Sequence, residues 1–319
     1  MILTVTLNAA IDRTVAVPNF RLGRRHRAVE ARTVAGGKGV NVARALKLLG
    51  RPVIATGLAG GATGARILEL LAEEAILNDL TRIAGESRTN LAVIDPTSGE
   101  QTEINERGPE VTPAEVDSFI EKLLYLAQGA TICVLAGSVP PGIDVGVYAR
   151  LVAELRRLGV LCVLDTDGEL MRAALQSEPA VVAPNVPEAE EAVGHEFNDV
   201  DDLVLGVDRL IEMGAGEAVI TREAGCVAVV GQGPERRRYE VATPALDPVS
   251  SVGSGDCFLA GYVAARYEGS SPRECLAYGV ACGAETTQHL GAGTLDAAAV
   301  ERQLQQVEIR ELDVSAGVS

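Results

Sequence analysis

The chain has 319 residues, with 28 Lys and Arg against 44 Asp and Glu, and a net charge of −16; it is long enough for one large α/β domain. Hydrophobic residues make up 47% and aromatic residues 3%, with no Trp, which excludes disorder and argues against nucleic acid, whose binding needs cations and stacking rings. Six cysteines without a CxxC pair and three scattered histidines exclude a zinc site. With no apolar run of about 18 residues and no basic leader, we expect no membrane span, no signal peptide and a cytoplasmic protein.

Short apolar runs alternate with amphipathic stretches along the chain. A strand is predicted over residues 2–7, followed by Asn8-Ala9-Ala10-Ile11-Asp12. This turn has no glycine, so it is not the GxGxxG of a dinucleotide-binding oxidoreductase. Residues 14–34 read as extended and polar. A helix over 40–49, a strand over 53–56 and a helix over 65–75 come next. Residues 87–104 are again extended, with Leu91, Val93 and Ile104 among polar neighbours. Further on we expect helices over 115–126, 145–158, 200–213 and 258–267, and strands over 131–135, 160–164, 180–183 and 218–221. Unalternating apolar runs of four to six residues fit strands buried on both faces, and their alternation with helices implies a largely parallel sheet. The two polar extended segments cannot join such a sheet. They are expected to form a small antiparallel flap over its edge.

Charge is unevenly spread. Between Asp12 and Arg51 there are ten basic and two acidic residues, a local +8 on an acidic chain, which fits a small anionic ligand or a solvated basic face. Within this stretch, Ala35-Gly36-Gly37-Lys38-Gly39-Val40-Asn41 precedes a predicted helix. Glycines let backbone amides approach a ligand, and a helix N-terminus favours anions. It is not a Walker A loop, because no Ser or Thr follows Lys38. A second small-residue run, Ser251-Val252-Gly253-Ser254-Gly255-Asp256, opens the helix over 258–267. A capping Asp would explain Asp256 alone; an anion hole beside a carboxylate base explains the three small residues as well, and phosphoryl transfer to an alcohol needs both. Pro184-Asn185-Val186-Pro187-Glu188 and Gly137-Ser138-Val139-Pro140-Pro141-Gly142 each follow a predicted strand. Asn185 could be a helix cap; Asn185 with Glu188 could also serve a water-rich Mg2+ site. Five such points at strand carboxyl ends fall where open α/β sheets bind ligands.

At these residues the chain resembles the ribokinase-like sugar kinases of the phosphofructokinase B type. Both family signatures are present, at 35–41 and at 250–256 with Phe258-Leu259-Ala260-Gly261 behind. The NxxE motif at 185–188 and the GSxPPG segment at 137–142 accompany them, and the register holds from Met1 to about Gln305. Gly36-Gly37-Lys38-Gly39-Val40-Asn41, Thr102-Glu103-Ile104-Asn105 and Ala281-Cys282-Gly283-Ala284 are most similar to the ketohexose-phosphate kinases within that family, 1-phosphofructokinase and tagatose-6-phosphate kinase. The resemblance implies a three-layer α/β/α sandwich with a mainly parallel central sheet and a small antiparallel β lid. One kinase domain would span 1–310, with lid segments near 14–34 and 87–105 and a tail over 311–319.

The resemblance also implies roles. Asp256 would be the general base, with the amides of Gly253, Ser254 and Gly255 around the transferring phosphoryl group. Asn185 and Glu188 would organise Mg2+ through water near ATP, flanked by Thr221 and Gly225. Asp12, Gly37, Lys38, Asn41, Asn90 and Ser138 would hold the sugar phosphate, with Arg27 and Arg88 reaching in from the lid, and two lids would pair in a homodimer. The expected reaction is ATP-dependent phosphorylation of fructose 1-phosphate, with tagatose 6-phosphate or fructose 6-phosphate as alternative acceptors. A catalytically silent sugar-phosphate-binding regulator is the contrasting class. Three departures from the family stand out: Ala9 for Pro, Ser250 for Asn or Asp, and a shorter, charged Thr221-Arg222-Glu223-Ala224-Gly225-Cys226 in place of a Leu-Gly-x-x-Gly loop.

Overall fold

The computed structural model describes residues 1–244, 246 and 248–312. The first half of the chain forms β1 (Ile2–Thr6), β2 (Ala10–Ala16), β3 (Glu30–Gly36), α1 (Lys38–Leu48), β4 (Val53–Gly60), α2 (Gly61–Glu73), β5 (Asn78–Ile83), β6 (Arg88–Ile94), β7 (Gln101–Asn105), α3 (Pro113–Ala127), β8 (Ile132–Ala136) and α4 (Val147–Arg157). The second half forms β9 (Leu161–Asp165), α5 (Gly168–Leu175), β10 (Val181–Val182), α6 (Val186–Val193), α7 (Val200–Glu212), β11 (Glu217–Arg222), β12 (Gly225–Val230), β13 (Arg237–Ala242), α8 (Ser254–Tyr267), α9 (Pro272–Glu285), α10 (Ala297–Leu304) and β14 (Glu308–Leu312).

Ten strands form one sheet in the order β14-β13-β12-β11-β10-β9-β8-β1-β4-β5. From β11 to β5 every pairing is parallel, and β12, β13 and β14 continue the sheet antiparallel. Alternate residues of one strand serve opposite faces. Ile2 of β1 packs with α1, α2, α8, α9 and α10, whereas Leu3 and Val5 pack with α3 to α7. The two apolar cores on either side of the sheet make the three layers expected. Strand order reverses at β1: the chain moves to β4 and β5 on one side, then returns to β8 on the other. Loops diverge at that switch point and open a crevice at the carboxyl ends of the strands.

The second sheet has the order β3-β2-β6-β7 and forms the lid. Its two outer pairings are antiparallel, while the central β2·β6 pair is parallel, because the chain builds the whole β4–α2–β5 unit before returning to the lid. Register places Val34, Asp12, Asn90 and Asn105 in one row and Arg32, Thr14, Ala92 and Glu103 in the next. With the period of two along each strand, both rows share the face that looks into the crevice.

Several helix starts follow their sequence signals. Thr112, Asn185 and Ser271 each close a capping box with the Glu three residues on, and Pro lies in the first turn of each helix. Elsewhere boundaries differ from expectation. The helix predicted over 40–49 begins at Lys38, and the one over 258–267 begins at Ser254, because Gly- and Ser-rich first turns carry no apolar period. The strand predicted over 53–56 runs to Gly60. Strand β14 passes residue 310, the expected domain end, and is described to Leu312; the rest of the predicted tail lies outside the described residues. Among the described residues no helix is long and apolar enough to cross a membrane.

Candidate active site

A cleft of about 610 Å³ lies between the strand ends and the lid. Its floor holds a buried ionic cluster. Lys38, at the start of α1, places Nζ 2.9 Å from Asp165 Oδ1 at the end of β9 and 2.9 Å from Glu188 Oε1 in the first turn of α6. Burial alone would depress the Lys38 ammonium, but Asp165, Glu188 and Asp256 outweigh it and raise its pKa. Asp165 is held above the usual carboxylate range by burial, which Lys38 partly offsets. Asp256, in the first turn of α8, is buried, and its Oδ2 accepts 2.8 Å from Asn41 Nδ2. Burial pushes its carboxyl up to about 7, against the pull of Lys38 and Asn41.

The N-termini of α1 and α8 both open on this floor, with Gly37 and Gly253 as caps and no side chain satisfying the first-turn amides. Ser254 N turns back to Ser251 O at 3.2 Å, so its amide is not free for an anion as expected. The amides of Gly255 and Asp256 have no intrahelical partner. A Cβ built at Gly255 meets nothing within 4 Å; the fold does not need this glycine, whose bareness leaves room beside Asp256. Gly36 is different. A side chain there would run into the Asp12 carboxyl, so this glycine lets β3 close on β2.

At the lid end Asn90 Nδ2 donates to Asp12 Oδ1 at 2.8 Å. Burial raises the Asp12 carboxyl, opposed by Asn90 and Arg88. Arg88 is pinned by the carbonyls of Asn8 and Glu106, both at 3.0 Å. Asn8 Nδ2 reaches Arg107 O and Ser138 Oγ. The buried oxygens Thr6 Oγ1, Asn8 Oδ1 and Asn90 Oδ1 have no hydrogen-bond partner, although all three residues line the cleft. Thr6 Oγ1 is packed against Gly39 and Asn8 Oδ1 against Gly108, so both glycines let the chain close over these oxygens.

Nearly all the residues singled out in the sequence converge here: Asp12, Gly37, Lys38, Asn41, Arg88, Asn90, Ser138, Asn185, Glu188, Thr221 and the 253–256 turn. Two do not. Arg27 is exposed in the loop between β2 and β3, outside the cleft walls. Gly225 also lies outside those walls; its φ of 142° and the carbonyl of Val241 packed on it explain the glycine by strand packing. The charged 221–226 segment is a tight β11–β12 hairpin, Arg222 paired with Gly225 in register and bonded to Glu240. Lys38, expected on the sugar's phosphate, is engaged on the floor instead. Asn185, expected to serve a metal, accepts from Glu188 N at its Oδ1, 2.9 Å away. Sequence reasoning missed Asp165, Asn8 and Arg44. Asp165 ends the apolar run Leu161-Cys162-Val163-Leu164, the same strand-end position that marked the other sites.

The lidded α/β/α sandwich has the ribokinase-like fold. The chain belongs to the pfkB family carbohydrate kinases, whose profile it matches over residues 3–298. It is 30% identical to the 1-phosphofructokinase of Borreliella burgdorferi over 316 residues, covering 99% of this chain and 100% of that protein. It is 31% identical to the tagatose-6-phosphate kinase of Staphylococcus epidermidis, covering 98% and 100%. Its fold superposes on the tetrameric inhibited form of phosphofructokinase-2 from Escherichia coli with a TM-score of 0.85, at 27% identity and 95% and 98% coverage. As a kinase of this family it takes ATP as phosphoryl donor.

Proposed function

We propose that the acceptor is a ketohexose monophosphate, fructose 1-phosphate first, and that the product is the bisphosphate. The acceptor class is supported by the similarity to 1-phosphofructokinase and tagatose-6-phosphate kinase, and phosphoryl transfer by the buried Asp256 carboxyl beside a helix N-terminus with an unfilled glycine position. The acceptor hydroxyl gives its proton to Asp256, its oxygen bonds to the γ-phosphorus of ATP, and the bond to the leaving ADP oxygen breaks. The Gly255 and Asp256 amides and the Lys38 ammonium lie where negative charge gathers on the transferring group. At the lid, Asp12 and Asn90 line the space for the sugar hydroxyls, and Arg88 with Ser138 faces the phosphate the sugar already carries. Thr221, beside Asn185, belongs to the nucleotide side.

The floor also fits a hydrated divalent cation. Asp165 and Glu188 are acceptor-only groups joined through Lys38, and their remaining lone pairs suit waters of Mg2+ carried on the ATP phosphates, where the ion would neutralise charge. Asn185 fixes Glu188 through their capping box.

The lid's outer face carries Val15 and Leu91 beside the exposed Ile104, and we place a homodimer contact there; the E. coli structure described above is of a tetrameric inhibited form. The substrate reading is tested by Mg2+-dependent ADP release with fructose 1-phosphate, tagatose 6-phosphate and fructose 6-phosphate, with free fructose and ribose as controls. Preference for a free sugar would overturn it.

A further inference from the structure

Arg44 stands one turn after Asn41 on α1 and is buried to 5% exposure. Every arm of its guanidinium is used. Nη1 donates to Asn41 Oδ1 at 3.0 Å and to Ala292 O at 3.3 Å. Nη2 donates to Ala35 O at 2.6 Å and to Glu74 Oε1 at 3.0 Å, and Nε reaches the other Glu74 oxygen. Glu74, at the end of α2, thus anchors the guanidinium from outside the site.

We infer that Arg44 is a positioning residue for the reaction: it fixes the side-chain amide of Asn41 so that the NH2 end, never the oxygen, faces Asp256. An amide is nearly symmetrical in shape, and Asn41 could present either end to its neighbour. A guanidinium only donates, so it claims the oxygen. The NH2 end is left for Asp256, at 2.8 Å, and it bonds the ionised carboxylate that must accept the substrate proton. A flipped amide would instead accept from protonated Asp256 and hold it in the form that cannot act. The orientation matters because burial already favours the neutral acid. The other charged or titratable groups that act on Asp256 are Lys38 from α1, Asp165 from β9 and Asp12 from the lid, with Cys257 beside it on α8. Arg44 does not itself line the cleft; its charge also lowers the Asp12 pKa, but its hydrogen-bonded path to Asp256 runs through Asn41.

This inference rests on Asp256 being the base. Arg44→Lys keeps a cation but cannot reach Asn41, Ala35 and Glu74 together. In that variant the acid limb of kcat/KM should move up about one pH unit. Activity at pH 6 should fall about tenfold and return to within twofold of wild type at pH 9. KM for ATP and for the sugar phosphate at pH 9 should change less than twofold. In an Asn41→Ala background, adding Arg44→Lys should cost less than a further twofold, because the two act as one unit. Should Arg44→Lys fail to fold, Glu74→Gln, which loosens the anchor and keeps the arginine, should shift the limb in the same direction by less. A loss equal at every pH, an unmoved acid limb in the folded variant, or costs that add in the double variant would overturn the inference. If Asp256→Asn kept wild-type turnover, the base itself would fall and this inference with it; an inactive Asp256→Asn with a wild-type Arg44→Lys profile would sink the inference alone.

Discussion

At pH 8 the Asp256 carboxyl, with its pKa pushed up to about 7 by burial, is mostly ionised in a site that favours its neutral form. Its folded pKa lies above the unfolded value of about 3.9, so the stability it contributes is present at pH 4 and lost as pH rises through 7. Each unit of that window is worth about 1.4 kcal/mol. An amide in place of the carboxyl would not titrate. The melting temperature of Asp256→Asn relative to wild type should therefore be higher at pH 8 than at pH 5, while kcat falls by roughly 10²–10⁴. A melting difference that does not change with pH would show that the carboxylate is not strained by its burial. Lys38 leads to a second residue-scale prediction, and here the structure redirects the expectation. With its ammonium on Asp165 and Glu188, Lys38→Met should lower kcat and raise the Mg2+ needed for half-maximal rate, leaving the sugar-phosphate KM within about threefold. The KM effect belongs to Arg88, where losing a charge-assisted bond of about 1.5–3 kcal/mol is roughly 10–150-fold. Steady-state kinetics of Lys38→Met and Arg88→Gln with both substrates separates the two; a large KM rise for Lys38→Met would restore the sugar's phosphate to it.

Two glycines separate what an element needs from what a ligand needs. Gly225 carries φ 142° with Val241 O against it, so Gly225→Ala should destabilise the β11–β12 hairpin by about 1–3 kcal/mol. Gly255 sits in the first turn of α8 with open space beside it. Gly255→Ala should keep or raise the melting temperature, since Ala costs a helix up to about 1 kcal/mol less than Gly, yet cut kcat/KM for ATP at least tenfold by filling the phosphate's place. A stable Gly255→Ala enzyme with wild-type kinetics would make this glycine incidental. The same contrast explains what could be read in advance. The core strands and most helices were legible because burial on both faces, or one apolar stripe, leaves a period in the sequence. Strand β5, with its exposed Asp79 and Arg82, left none. Nor did β13, where Arg237, Arg238 and Glu240 surround Tyr239 and leave Val241 as the strand's one buried residue. Gly225 looked like a ligand contact because a sequence shows that a glycine is present, not which atom crowds it. Asp165 was open to the strand-end argument; Arg44 was not, since only the folded β3, α2 and 292 segments bring its partners together.

At the scale of the whole molecule the remaining question is what covers the lid. The central sheet is shielded by helices on both faces, but the lid is one layer thick. Its inner face carries Asp12, Asn90, Asn105, Thr14 and Glu103, which serve the cleft. By the strand period its outer face carries Val15, Leu91 and Ile104, with Ile11 packed on the core and Val93 buried, and register sets Ile104 directly beside Leu91. Ile104 is 59% exposed, and β7, the edge strand that carries it, is exposed along most of its length. An apolar strip on an unpaired edge invites association. With a net charge of −16, two copies repel over most of their surfaces, so contact is favoured where an apolar strip carries few acidic residues. A twofold contact through this face would bury the strip and stiffen each lid over its cleft. The chain should therefore sediment as a dimer at micromolar concentration. Ile104→Lys places a charge in the strip without touching the cleft row, and should give a monomer with an unchanged fold by circular dichroism. Because Asn105 and Glu103 flank it on the inner face, the monomer should show a raised sugar-phosphate KM and an unchanged KM for ATP. A wild-type chain that runs as a monomer, or an Ile104→Lys dimer as tight as wild type, would place the contact elsewhere or remove it.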